Sequence, residues 1–240
     1  MFGCFFRKLI TMKKNLLLIA VIIVANVHAQ SYSHVGESNG NPFLSDVNGR
    51  PLLIAANYAT EGSPFFLNEY RPARIVLMDG KSYSYVKVKY NVAERLVQYL
   101  DKDGKEMIAD KPVRTLELRT PETGEAFLLE SAGQALNSAG AAVYQVLDSG
   151  NVRLLKKVVI TSREDKPYTS ASTTRVFDRK ESLFYQNPGA QPEKLERNKS
   201  FVANLFKSKQ AELIAYAERN QIGFKDEQDL ILLFQFGNTH

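Results

Sequence analysis

The run Arg74-Ile-Val-Leu-Met-Asp-Gly-Lys-Ser-Tyr-Ser-Tyr-Val-Lys-Val-Lys-Tyr90 decides the fold class. Ile75, Val76 and Leu77 lead into Asp79-Gly80, a pair suited to the positive φ of a tight hairpin turn. The return run alternates apolar or aromatic residues with polar ones, as a half-buried strand does. Tyr83 and Tyr85 fall on one face and Val86 and Val88 on the other. That break in the period of two argues for a bulge or a strand buried on both sides.

The same grammar continues outward. Leu52–Ala56 and Phe65–Leu67 read as short first strands. Leu96–Leu100 is closed by the turn Asp101-Lys-Asp-Gly104 and followed by Met107-Ile108, Val113–Leu118 and Ala126–Leu129. Val143–Leu147 and Val152–Ile160 flank a second hairpin turn, Asp148-Ser-Gly-Asn151, and Thr173–Phe177 and Leu183–Tyr185 finish the series. No helix interrupts these runs, so the crossovers of a parallel sheet are missing. The spacing predicts a mainly β fold, an antiparallel β-sandwich or open barrel of about ten short strands. Ser131–Ala142, rich in small residues, reads as a flexible loop or a flap over a ligand site.

Near residue 196 the period changes. Asn198 is placed to cap a helix carrying Phe201, Val202, Leu205 and Phe206. Ser208 is placed to cap a second, with Leu213, Ile214 and Tyr216 inward, and Gly223 breaks it. Asp226 caps a third with Leu230, Leu233 and Phe234, its first turn carrying Glu227 and Asp229 as the helix dipole favours. The expected layout is a signal peptide at 1–29, an antiparallel β domain at 30–195 and a helical segment at 196–240 packed on it.

The signal is read from Met12 to Gln30. Lys13 and Lys14 precede the apolar run Leu16–Val24, and Val27-His28-Ala29 ends in small-residue form, so cleavage is expected to leave Gln30 first. The run is shorter than the roughly 18 residues a transmembrane helix needs, so no membrane span is expected after cleavage. Residues 1–11 read as an extension ahead of a start at Met12, and Ser31–Asn48 as a loose polar arm. Export, to periplasm or cell exterior, is the expectation. Cys4 precedes the apolar run, so the mature chain has no thiol for a disulfide, a metal or a nucleophile.

Charge changes meaning once the signal is removed. Of 31 basic and 26 acidic residues, Arg7, Lys8, Lys13 and Lys14 leave with the signal and no acid does, so the mature chain keeps 27 against 26. That near balance argues against nucleic acid as a partner. His28 leaves too, and His34 and His240 sit near the ends, which excludes a histidine triad or a multi-histidine zinc site. No phosphate loop, dinucleotide fingerprint or other cofactor motif occurs, and Asp101–Glu106 lacks the length of a calcium loop. No catalytic, cofactor or metal residue is assigned. Glu117, Glu125 and Glu130 are the candidates for carboxylate chemistry, set against solvated strand faces.

One asymmetry survives. Between residues 151 and 209 there are thirteen basic and six acidic residues. Arg153, Lys156, Lys157, Arg163 and Lys166 follow one strand, and Arg175, Arg179 and Lys180 the next. Antiparallel pairing brings such residues together, and Arg153, Lys156, Lys157, Arg175 and Arg179 form the candidate patch for an anionic ligand or envelope partner. The alternative for these residues is a solvated face balanced by acids elsewhere.

The stretches Val143–Lys157, Lys209–Tyr216 and Asn220–Leu230, with Gly62-Ser-Pro-Phe and Asp79-Gly80, resemble a family of secreted Bacteroidetes-type proteins of unknown function. The resemblance implies a signal-bearing envelope protein with a β-rich body and a helical end, and carries no catalytic residues over. The preferred function is a non-enzymatic ligand- or partner-binding module. The alternatives are a carboxylate-dependent hydrolase and a structural component of a surface assembly.

Overall fold

The computed structural model describes residues 49–52, 59–166 and 173–239. The signal segment, the arm at 31–48 and most of the first expected strand lie outside these residues.

Twelve strands form one sheet: β1 (Arg50–Pro51), β2 (Ala59–Glu61), β3 (Arg71–Leu77), β4 (Ser82–Asn91), β5 (Leu96–Leu100), β6 (Glu106–Ile108), β7 (Val113–Arg119), β8 (Ala126–Glu130), β9 (Val143–Asp148), β10 (Arg153–Asp165), β11 (Thr174–Gln186) and β12 (Glu193–Lys194). Three helices follow, α1 (Lys199–Leu205), α2 (Gln210–Asn220) and α3 (Glu227–Asn238), with a 3-10 turn at Lys207–Lys209 before α2. The protein is mainly β with a helical end.

The strand order is β1-β6-β5-β4-β3-β7-β8-β9-β10-β11-β12, an open sheet with every neighbour antiparallel. Among the described residues β2 alone runs parallel, beside Thr174–Val176 of β11, so the sheet is mixed. Residues of β3, β4, β5, β7, β8, β10 and β11 share one buried cluster, from Ile75, Val88 and Tyr90 across to Val158, Ile160 and Phe177. One face of a single sheet buries such distant strands together only by curling over, which is the open-barrel side of the expectation.

The deciding hairpin contains its bulge. Tyr85 takes φ 63°, and the β3–β4 register shifts between Ala73 and Ile75, so one extra residue of β4 opposes β3. That reverses the alternation: Tyr83, Val86, Val88 and Tyr90 all reach the core while Tyr85 is 67% exposed. At the turn Gly80 takes φ 89°, a conformation that costs a side-chain-bearing residue energy.

The sequence expectation falls short at four places. Thr173–Phe177 and Leu183–Tyr185 belong to a single 13-residue strand, because β10 pairs with β11 along its whole length and carries the intervening polar residues in register. Phe65–Leu67 is no strand; Phe65 makes one isolated bridge to Asn91. Ser208 lies in the 3-10 turn, and α2 starts at Gln210 with no side-chain cap. The Ser131–Ala142 stretch is a packed plug. Leu136 is fully buried, its amide donates to the Val113 carbonyl, and Asn137 holds Val113 N and the carbonyls of Ala109 and Lys111. Tyr90 donates its hydroxyl to the Leu136 carbonyl at 2.8 Å.

A second core joins sheet and helices. Leu154, Leu183 and Tyr185 pack with Val202, Phe206, Leu213, Leu230, Leu233 and Phe234. Asn198 caps α1 by accepting from Phe201 N, and Asp226 caps α3 by accepting from Gln228 N. Both ends of α3 are tied to β10 and the turn before it: Lys156 Nζ reaches Glu227 at 2.9 Å, and Asn238 bonds to Val152. Among the described residues no helix is long and apolar enough to cross a membrane.

Candidate functional site

The continuous β10–β11 register sorts the five basic residues read from sequence. Lys156 pairs with Leu183 and Arg153 with Gln186. Because side chains alternate, Lys156, Arg179 and Arg175 lie on one face of the ribbon and Arg153 and Lys157 on the other. The five do not form one patch.

Each is also engaged. Arg153 pairs with Glu130 at 2.8 Å, both side chains mostly buried, and bonds Gln186. Lys157 lies against the Phe184 ring, 5.6 Å from its centroid. Arg175 reaches Glu94 at 3.4 Å and sits over Phe177. Arg179 pairs with Glu181 at 2.7 Å, donates to the Phe65 and Phe66 carbonyls and covers the Phe66 ring. Of the carboxylates considered for catalysis, Glu117 pairs with Arg119, Glu125 sits exposed at the β7–β8 turn and Glu130 pairs with Arg153. Asp101 spends its carboxylate on the backbone amides of Asp103 and Lys105, as an ordinary turn does. Among the described residues no group of three His, Cys, Asp or Glu is placed to hold a metal.

Lys156 opens onto a cleft of about 430 Å³ between the ribbon, the segment after β12 and the start of α3. Its walls are Lys156, Glu181, Ser182, Leu183, Lys194, Leu195, Arg197 and Glu227. The Lys156 side chain is only 14% exposed and is shared by two carboxylates, Glu227 at 2.9 Å and Glu181 at 3.7 Å. So the deep lysine and its two acids are fixed in place. The acids fall there for separate reasons: Glu181 shares the inner face of β11 with Leu183, and Glu227 sits in the first turn of α3, where the helix dipole favours it.

Lys194 and Arg197 stand differently. Both are exposed at the cleft mouth, and among the described residues neither makes an ion pair; Arg197 donates only to the Lys225 carbonyl. The lining therefore holds three cations against two carboxylates, with the two unpaired cations at the rim. Ser182 adds a hydroxyl, and Leu183 and Leu195 a short apolar wall. A concave site with fixed charges below and free cations above suits a small, hydrophilic, negatively charged group.

Residue-level reading of the sequence missed Lys194, Arg197, Glu181 and Glu227. Lys194 and Arg197 were within the basic excess of 151–209, the only signal for them. No periodicity places residues within or just after a two-residue strand. Arg153 lines a second cleft of about 410 Å³ with Arg114, Glu130 and Gln134, but there the deep arginine is satisfied by its carboxylate, and Arg114 donates to the Met78 carbonyl.

Compared with family models, with curated proteins and with solved structures, the chain matches none. The resemblance seen in the sequence therefore assigns no residue a role, and the site rests on its own geometry.

Proposed function

We propose that the protein is an exported, non-enzymatic binding module of the cell envelope, in the periplasm or outside the cell, and that it takes an anionic ligand in the Lys156 cleft. The observation that carries this reading is the pair of cations, Lys194 and Arg197, that make no ion pair among the described residues and stand at the mouth of a cleft whose deeper charges are already paired. Export is supported by the three-part signal pattern at 12–30. A sulfate-, phosphate- or carboxylate-bearing saccharide matches the polar lining, the hydroxyl of Ser182 and the short apolar wall.

The test is titration calorimetry with a fully sulfated heparin disaccharide as probe. Lys194→Glu with Arg197→Glu, both on exposed side chains, is expected to weaken binding about tenfold or more without lowering the melting temperature. Raising salt is expected to weaken it in the same direction. Unchanged affinity in the double variant refutes the site.

A second reading has its own observation. Glu181 and Glu227 both touch the Lys156 amine within this cleft, and a pair of carboxyls in a cleft is the minimal equipment of a glycoside hydrolase. Turnover of an acidic oligosaccharide that disappears in Glu227→Gln supports hydrolysis; binding with no turnover supports the module.

A further inference from the structure

The β10–β11 ribbon is longer than its neighbours. On one side β10 is paired with β11 through Asp165, but on the other β9 leaves it at Val158, opposite Val143. Residues Val159–Asp165 of β10 have no strand partner on that side among the described residues. A free strand edge presents a row of backbone donors and acceptors that an extended chain can complete.

Where β9 departs there is a notch of about 240 Å³. Its floor is apolar: Val92, Ala141, Val143, Val158 and Ile160 all line it and all are buried. Over it sits Arg95, whose backbone takes the left-handed φ of 57°, a conformation non-glycine residues seldom adopt and one that clusters at functional sites. Arg95 Nε donates to the Ala141 carbonyl at 2.9 Å, which fixes the guanidinium beside the notch. Among the described residues it makes no ion pair, so its remaining N–H groups are available.

Direction decides what fits. β9 runs antiparallel to β10, from Val143 opposite Val158 toward Asp148. A strand added antiparallel to Val159–Asp165 runs in the line of β9 and arrives at Val143 with its C-terminal end. Val143 already holds that line opposite Val158, so the added chain must stop there, with its last side chain over the apolar floor and its carboxylate beside Arg95. We propose that the β10 edge and the Arg95 notch form a docking site for the extended C-terminal segment of a partner polypeptide, ending in an apolar residue with a free carboxylate. This site is separate from the Lys156 cleft and stands or falls without it.

The probe is the fluorescein-labelled hexapeptide Thr-Lys-Thr-Lys-Thr-Val as free acid and as C-terminal amide, with versions ending in Leu and Phe, titrated against the full chain by fluorescence anisotropy. At least one free acid is expected to bind, and amidation to weaken it about tenfold or more, the loss of one charge-assisted contact. Arg95→Asn, which tolerates the left-handed backbone, is expected to weaken the acid to the level of the amide. Amide hydrogen exchange is expected to slow at 159–165 on binding. The proposal is overturned if no free acid binds, if acid and amide bind alike to the wild-type protein, or if protection appears elsewhere. It is also overturned if the chain self-associates through this edge without peptide.

Discussion

Removing the Asn238 side chain isolates the joint between the helical end and the sheet. Its Oδ1 accepts from Val152 N at 2.9 Å, and its Nδ2 donates to Asp148 Oδ2 at 2.7 Å and to the Val152 carbonyl at 2.9 Å. One amide thus closes contacts 86 and 90 residues away in sequence. The bond to the Asp148 carboxylate is charge-assisted, worth about 1.5–3 kcal/mol, and each backbone bond about 0.5–1.5 kcal/mol net. The site is partly buried, so water replaces some of what Asn238→Ala removes. The expected loss is about 2–3 kcal/mol, or roughly 5–10 °C in melting temperature for a chain of this size. Urea unfolding followed by circular dichroism measures it, with an unchanged m-value expected if the unfolded state is unaffected. Asn238→Asp turns a donor into a second carboxylate beside Asp148 and costs at least as much at neutral pH. Gly150→Ala probes the same joint from the other side, since its Cβ would collide with the Asn238 side chain. The two changes are expected to be less than additive. A loss below about 0.5 kcal/mol in Asn238→Ala, the level of an ordinary surface change, refutes the joint.

Two further outcomes follow from the barrel-like half. Burial raises the Tyr90 hydroxyl well above its ordinary titration range. Its contribution to stability is full below about pH 10, the unfolded value, and declines above it by up to about 1.4 kcal/mol per pH unit. Tyr90→Phe is expected to cost about 1–2 kcal/mol at pH 7 through the lost bond to Leu136. It should also flatten the alkaline arm of the stability profile; an unchanged arm contradicts the assignment. Gly80→Val, at φ 89° with open space around it, is expected to cost about 1–2 kcal/mol from backbone strain alone, with unfolding midpoints as the check.

The mainly β class and the helical end were legible because both rest on local chemistry. Asp79-Gly80, the alternation in β4, and the caps Asn198 and Asp226 each act within a few residues. The Tyr85 bulge was half legible: the broken alternation announced it, but only the partner strand fixes where the extra residue goes. Two expected strands merged into β11 because pairing with β10, a long-range effect, overrode the polar interruption at Asp178–Glu181. The Ser131–Ala142 plug was misread because small residues look loose until Asn137 and Leu136 meet β7.

The candidate site was legible only as an excess of charge. A count of basic residues over 151–209 holds Lys194 and Arg197, yet it cannot separate a lysine neutralised by Glu181 and Glu227 from two cations left unpaired. That separation needs the acid at the head of α3, which arrives 71 residues after Lys156.

The most direct test of the Lys156 cleft is an amide hydrogen-exchange map of the protein with and without saturating heparin disaccharide. Slowed exchange confined to the stretches that line the cleft, 155–157, 181–183, 194–197 and the start of α3 at Glu227, is the predicted result. Protection spread along the ribbon at 174–180, or none at all despite binding, contradicts it.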